Sequence, residues 1–444
     1  MHENRRYVKL SCFGLCFASA LLCAPAAGAE LLTSARAPAA LAVGRDGAPR
    51  VAYAAGCALH VAVRASAGWQ DQTAARCLPL APNAIDVDGI VVDPHGSSSV
   101  LVQDETGGVI LLARQTAAGW RLGVVARVET AGSTLGRSGL TLDAQGSPVV
   151  AYAVRNARRA TFLRLVRVAR GGRLVTTRIT RGGFPPSLVP PAAAPVLVRG
   201  RIHVVEVFGS EGIEWEPVGR AWSGQYLFAN IDGINSGPVF ATAVGGATWT
   251  ASTLLEPRFG ESDVLVTLRN ETEDTSTVFT HAQLSALTLA GGRPEVAANE
   301  EVDVSDWADE AALVSDTDGN GTELDGTIEG YATSNGGIRN VLLQTERGLE
   351  WFGSPTLPSL HVKLEADASG RLSGTVSGVD EGRVDLYRER PDASPVLLAT
   401  PSLGAGGVFA ASDAAPTAPT LYRAVYRDPA TGLPYASLTT RPVG

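Results

Sequence analysis

The chain has 444 residues, 45% of them apolar and only 18% charged, with a net charge of −8. Such a balance supplies enough apolar side chains for large cores and excludes a disordered chain. Its 49 glycines and 26 prolines suit many turns, and no long helical periodicity appears.

Residues 1–29 read as a secretion signal. Arg5, Arg6 and Lys9 form a basic start, Leu10–Cys23 an apolar run, and Ala27-Gly28-Ala29 a small-residue cleavage site before Glu30. The run is short for a membrane span, and Leu22 before Cys23 is too bulky for a good lipidation site. The expected product is secreted or periplasmic. Of five cysteines, Cys12, Cys16 and Cys23 leave with the signal, so Cys57 and Cys77 remain. Each lies ten residues from Ala67, the centre of an expected hairpin. They should meet across its open end as a disulfide, as an exported chain allows. Closing a loop of that size contributes about 3 kcal/mol in the chain-entropy model.

The clearest internal signal is Leu140–Tyr152, reading LTLDAQGSPVVAY. Two apolar runs flank Asp143-Ala-Gln-Gly146, where Asp can bond back to the backbone and Gly tolerates positive φ. Aligned on the turn glycine, the unit recurs as Leu41…Gly47, Ile90…Gly96, Leu140…Gly146 and Leu313…Gly319. Asp93, Asp143 and Asp316 stand three before the glycine, with Gly44 in the first copy. The first three copies are offset by 49 and 50 residues. That period, with several short strands per unit, marks a β-propeller blade.

Units are expected at 37–80, 84–130 and 135–182. A Pro-rich break follows over Gly182–Pro195, then a weaker fourth unit with Ile202–Val207 as a strand. Residues 230–310 are irregular and fit either one blade with an insertion or two short ones. The last unit runs from Leu313 to Trp351. About six blades are expected, six or seven by length. Ser354–Pro358 reads as a linker, and from Ser359 seven short strand candidates fit a small β-sandwich of immunoglobulin or fibronectin type. The expected organisation is 1–29 signal, 30–355 propeller and 359–444 sandwich. No apolar tail precedes Gly444, so no C-terminal anchor is expected.

The three early units resemble bacterial secreted β-propeller repeats of the type LALDxxGxPhvaY. The resemblance implies a fold and an extracytoplasmic setting, and no activity. The C-terminal part looks like sandwich modules appended to exported bacterial proteins.

One loop exceeds the repeat. Asp316, Asp318 and Asn320 alternate, Gly321 follows, and Thr322 offers a carbonyl, as at the start of an EF-hand-type calcium loop. It is similar to the loops of FG-GAP and VCBS propeller repeats. Position twelve is Thr327 in place of a bidentate Glu, so Asp325 would have to close the site. The plainer reading is that Asp316 and Gly319 are simply the repeat's turn residues.

Catalytic patterns are scarce. G-x-S-x-G, H-E-x-x-H and the sialidase S-x-D-x-G-x-x-W box are missing, and the mature histidines do not pair at ligand spacing. Glu206, Glu214 and Glu216 are the carboxylates to check for glycoside cleavage. Trp69, Trp120 and Trp351 close their units, so packing of blade against blade is favoured over sugar stacking. Residues 30–228 carry 21 Arg against 14 acidic residues, and residues 229–357 carry 5 Arg against 21. Two solvated faces attracting across a ring is the leading reading, and an acidic rim collecting cations or basic partners the other. No basic stripe with interleaved aromatics suggests nucleic acid. The expected function is therefore an exported non-enzymatic binding or scaffold protein for a protein or glycan partner. The alternatives are a hydrolase or lyase acting on polysaccharide or glycoconjugate, and a calcium-stabilised adhesin. An enzyme demands carboxylates, His or Arg converging at the channel mouth.

Overall fold

The computed structural model describes residues 30–440, apart from 35–36, 105, 107, 159, 181–190, 209–210, 230–233, 259–260, 271–275, 281, 291–292, 304–307, 317–320, 346, 355–359, 391–392 and 415–420. Side chains are also outside the description at 170, 228–236, 254–283, 290, 300–323, 325, 354, 389–394 and 436–440. The signal sequence expected over 1–29 and the Pro-rich stretch at 181–190 fall outside it.

The described chain is nearly all strand, arranged as successive antiparallel sheets. Strand order follows chain order within each of the first six. The first sheet holds Ala39–Val43, Pro49–Ala55, Ala58–Ala65 and Gly68–Ala75, and the second Ile85–Val92, Ser98–Asp104, Val109–Thr116 and Gly119–Arg127. In the third, Thr134–Leu135 and Gly139–Leu142 together form the first strand, beside Pro148–Arg155, Thr161–Val168 and Leu174–Arg178. The fourth sheet spans Ala192–Val198 to Ala221–Ala229, the fifth Ile234–Val244 to Ser276–Thr280, and the sixth Ala282–Ala290 to Gly321–Asp325. The seventh joins Thr327–Thr333, Arg339–Thr345 and Gly348–Ser354 to the N-terminal strand Glu30–Thr33. That strand pairs Glu30 with Trp351 and Leu31 with Glu350, so the two ends of this region are closed within one sheet.

The first strand of each sheet packs on the first strand of the next, and that of the seventh returns to that of the first. This ring is the arrangement of a β-propeller. Each seam carries its own apolar cluster. The reason is legible in the second strands, which are apolar on both faces. Val150 and Tyr152 enter the cluster between the second and third sheets, and Val149 and Ala151 that between the third and fourth. Small residues stand where inner strands approach closely. A Cβ at Gly330 would lie 2.6 Å from Leu41 Cβ and 2.9 Å from Leu41 N.

The repeated turn is built as its residues dictate. Asp143 Oδ1 accepts the N–H groups of Gln145 at 3.0 Å and Ser147 at 2.8 Å, while Gly146 takes φ +78°. Asp93 does the same for His95 and Ser97. The fourth copy differs from the expected one. Leu313 lies in Ala308–Asp316, a third strand paired on both sides, whereas Leu41, Ile90 and Leu140 lie on first strands. The structural equivalent is Tyr331…Gly337: Ser334 takes the Asp position, and Gly337 has φ +78°. A Ser replacing Asp hides this copy, while the residues from Asp316 to Gly319 imitate it in sequence.

Cys57 and Cys77 are disulfide-bonded, Cα to Cα 4.6 Å, beyond the open end of the hairpin Ala58–Ala65/Gly68–Ala75. Trp69 meets Trp351 edge to face at 5.5 Å across the seam that closes the ring, and Trp120 packs on the cluster between the first and second sheets. These rings pack sheet on sheet.

Beyond residue 360 the chain forms a three-stranded sheet (Val362–Ala366, Arg371–Val376, Val408–Ser412) and a four-stranded sheet (Ala393–Ala399, Val384–Arg390, Leu421–Arg427, Pro434–Thr440). Leu364, Leu372 and Phe409 of the first meet Leu386, Tyr422 and Tyr435 of the second in one buried cluster. That cluster continues through Leu324 and Phe352 into the sixth and seventh sheets. Arg427 reaches buried Glu350 at 3.4 Å, so the same sheet that receives the N-terminal strand anchors the C-terminal region.

Candidate functional site at the channel mouth

A cavity of about 450 Å³ lies where the first strands of all seven sheets converge. The first strands of five sheets break register near their starts: between Asp86 and Gly89, at Gly136–Ser138, between Asn235 and Val239, between Leu284 and Ala286, and between Ile328 and Gly330. A bulge spends a residue outside the ladder and re-aims its side chain. Here the residues released in this way, among them Asp88, Arg137, Ser138, Ser285 and Glu329, line the cavity.

Four of the lining residues form one cluster. An Arg137 Nη1–H group donates to Asp86 Oδ2 and reaches Asp88 Oδ1 at 3.4 Å. Gln103 sits behind them. Its Nε2 donates to Gly136 O at 3.0 Å, so its Oε1 faces Ser138 and accepts that residue's N–H at 3.1 Å. Ser138 Oγ is 2.8 Å from the same Oε1 and 2.9 Å from Asp88 Oδ2. Gln103 Oε1 already holds the Ser138 N–H, so the single hydroxyl proton of Ser138 is free to donate to Asp88 Oδ2. Burial first, and then the Asp86 charge, push Asp88 up to about 8, against the opposing pull of Arg137 and of the Ser138 hydroxyl. The Asp88 side chain is 8% exposed, against 28% for Asp86 and 40% for Arg137. The mouth thus carries two carboxyl groups, a hydroxyl and a guanidinium side by side.

Across the cavity, the N–H of Ala39 donates to Glu329 Oε2 at 3.3 Å. Asn299 pins the Glu329 bulge, accepting the Ile328 N–H at 2.7 Å and donating to Ile328 O at 3.2 Å. Further along, Tyr331 donates to Glu295, which Arg339 clamps through Nε at 3.1 and 3.2 Å and Nη2 at 2.5 Å. Burial and the Glu295 charge hold Tyr331 well above its ordinary range. This set locks the sixth sheet to the seventh.

The residues singled out from the sequence lie elsewhere. Glu206 and Glu214 sit on the second and third strands of the fourth sheet, off the cavity. Burial pushes Glu206 up to about 7, with Trp215 Nε1–H donating to it at 3.0 Å. Glu214 accepts from Thr248 at 2.8 Å and meets His203 Nδ1 at 2.6 Å. Glu216 is exposed. Of the calcium-loop residues, Asp318 and Asn320 lie outside the described residues. Asp316 ends a strand and Thr322 and Asp325 lie on Gly321–Asp325, their side chains outside the description. Among the described residues no cluster of three His, Cys, Asp or Glu side chains has metal-binding geometry, and no helix is long and apolar enough to cross a membrane.

Sequence reasoning missed Asp86, Asp88, Arg137, Ser138 and Glu329. A usable signal was present: the polar residues two to four places before the repeat's Ile90 and two and three before Leu140.

No protein-family model matches the sequence, and no curated protein matches it. Similar solved structures include the β-propeller domain of the Trilobed protease from Pyrococcus furiosus, at 9% identity and TM-score 0.40 over 75% of this chain and 97% of that one. The α-L-arabinanase of Penicillium chrysogenum in complex with arabinobiose is similar at 11% and 0.39, over 60% and 91%. The SapL1 lectin in complex with α-methyl fucoside is similar at 12% and 0.41, over 65% and 95%.

Proposed function

We propose that the chain is an exported, non-enzymatic glycan-binding protein, built as a seven-bladed propeller with a C-terminal β-sandwich. The observation that carries this reading is the Asp86–Arg137–Asp88–Ser138 cluster at the mouth of a cavity of about 450 Å³. That volume suits a sugar ring or two and is too small for a folded protein segment. Two carboxyl groups, a hydroxyl and a guanidinium side by side offer the mixed donors and acceptors that vicinal sugar hydroxyls require. The disulfide supports an oxidising, extracytoplasmic setting. Calorimetry against a panel of oligosaccharides tests the reading. Arg137→Gln should weaken binding of the selected sugar about tenfold, the value of one charge-assisted hydrogen bond. Equal affinity in the variant, or no sugar bound at millimolar concentration, overturns it.

A second reading is favoured by the pairing of Asp86 with Asp88, whose carboxyl burial pushes up. A neutral acid beside a carboxylate is the pairing used in glycoside hydrolysis. Released reducing ends from the bound glycan, abolished by Asp88→Asn with binding kept, would move the protein to that class. Calcium at Asp316, Asp318, Asn320, Thr322 and Asp325 belongs to the proposal as a stabiliser of the sixth sheet, and makes the adhesin reading testable. Equal unfolding midpoints in calcium and in chelator would remove it.

A further inference from the structure

A second charged feature lies away from the channel, in the seam between the second and third sheets. Residues 110–178 contain 12 arginines and only 2 acidic residues. In the second sheet Arg114 lies directly across from Arg121, and in the third Arg164 lies directly across from Arg178. Both pairs face the same seam. Arg114 shares a strand face with Ile110 and Leu112, and Arg164 one with Val166 and Val168, all four belonging to the cluster between these sheets. Like charges set directly opposite on a ladder are destabilising. Two such pairs facing one seam is an arrangement that folding alone does not favour.

The pairs are not neutralised from within. None of Arg114, Arg121, Arg164 and Arg178 makes an ion pair with a carboxylate among the described residues. Arg114 donates to Gly172 O at 2.7 Å, Arg178 donates to Thr180 O at 2.5 Å, and Arg164 leans on the Tyr152 hydroxyl. These are neutral acceptors that fix the guanidiniums without cancelling their charge. The buried Nε–H groups of Arg114 and Arg164 have no acceptor among the described residues. Arg121 and Arg178 are exposed, so the seam opens to solvent on both sides.

We propose that this seam binds an anionic polysaccharide, with carboxylate or sulfate groups along one chain taken up by the two arginine pairs in turn. Arg114 meets Gly172 in the turn that opens the third sheet's last strand, while Arg178, across from Arg164, ends that strand, a spread that suits a linear polymer with repeated charges better than one small anion. The aromatic side of the seam points away from nucleic acid. Phe162 has its ring covered by Arg178 at 4.2 Å, and Tyr152 is 3% exposed, so neither offers a free face for stacking a base. The surface reads charge.

The test uses the full chain with heparin and polygalacturonate as probes, dextran as the neutral control, and oligo-dT as the competing polyanion. The expected result is salt-dependent binding to heparin or polygalacturonate and none to dextran. Arg121→Gln/Arg178→Gln should lose about tenfold or more in affinity, from loss of two charged hydrogen-bond donors. Arg201→Gln/Arg220→Gln, on the fourth sheet, should lose little. The seam variant should also unfold at a higher temperature without ligand, because a like-charge pair is relieved in each sheet. If the double variant does not fold, the single variants Arg121→Gln and Arg178→Gln carry the same comparison. The proposal is overturned if neither polysaccharide binds at low salt, if seam and fourth-sheet variants lose equally, or if oligo-dT binds more tightly than both. Arg137→Gln at the channel should leave heparin binding unchanged, which separates this site from the channel site.

Discussion

The seams and the channel mouth are made from the same strands and follow opposite rules. In a seam, each side chain is fixed by its neighbours: Leu111 and Val150 are fully buried, and the apolar identity recurs from sheet to sheet. At the mouth, equivalent stations diverge. The second and third sheets place Asp86, Asp88, Arg137 and Ser138 there, the first Ala39 and Ala40, and the fourth Ala194 and Pro195. The backbone explains the contrast. Where the ladder runs in register, a side chain must fill the seam. Where it bulges, the side chain is freed from packing, and chemistry can vary at little cost to the fold. Stability and function are therefore separable by position along one strand.

The largest effect should come from breaking a seam. Leu111→Ala removes a fully buried side chain and should cost about 2–5 kcal/mol in denaturant unfolding. Sugar affinity per folded molecule should stay unchanged. A loss of affinity in the folded fraction would show that seam and mouth are coupled after all.

Next in size is the disulfide. Cys57→Ser/Cys77→Ser opens a loop with a sequence separation of 20 and should lower stability by about 3 kcal/mol. The bond joins the two strands of one hairpin in the first sheet and touches no residue of the mouth. Ligand affinity should again be unaffected.

The mouth, through Asp88, and the fourth sheet, through Glu206, should reveal themselves by pH. Unfolded, the carboxyls of Asp88 and Glu206 ionise near pH 4, while in the fold they hold their protons up to about 8 and about 7, chiefly through burial. Between those limits the native state binds more protons, so stability falls as pH rises from about 4 to about 8 and levels off above. Asp88→Asn should roughly halve the slope up to pH about 7, abolish the fall between about 7 and about 8, and leave the protein more stable than wild type at pH 8. Glu206→Gln should roughly halve the slope below about 7 and leave the fall between about 7 and about 8 intact. Urea midpoints across pH separate the two. A slope that survives both substitutions would assign it elsewhere.

What the sequence made legible follows the same division. Seam residues recur, so Leu41, Ile90 and Leu140, the Trp packing and the Cys57–Cys77 hairpin could be read from spacing. The bulges do not recur in sequence, because a bulge constrains backbone geometry more than residue type, and the polar residues before Ile90 and Leu140 look like loop. Reading chemistry as an excess over the repeat pointed to Asp316–Asp325, when the channel residues stand just upstream of the repeat itself. The sheets within 183–310 were obscured for a related reason: their strands keep alternation but lack the Asp-x-x-Gly turn that numbered the others.

That turn offers the finest comparison. Asp143 holds its hairpin through two backbone N–H groups on one carboxylate oxygen, and Ser334 holds the equivalent hairpin of the seventh sheet through one, from Ile338 at 3.1 Å. Both turns also keep the backbone bond from the turn glycine to the residue three before it, 2.9 Å in each case. Asp143→Ala should therefore cost about 1 kcal/mol, since it removes two hydrogen bonds to a charged acceptor at a half-buried site. Ser334→Ala should cost less, having one neutral bond to lose. Measured by urea unfolding, Ser334→Asp should then stabilise the seventh sheet by restoring the carboxylate of the second and third. If Ser334→Asp instead destabilises, the repeat's aspartate owes its place to something beyond the turn, and the seventh sheet's departure from it was selected.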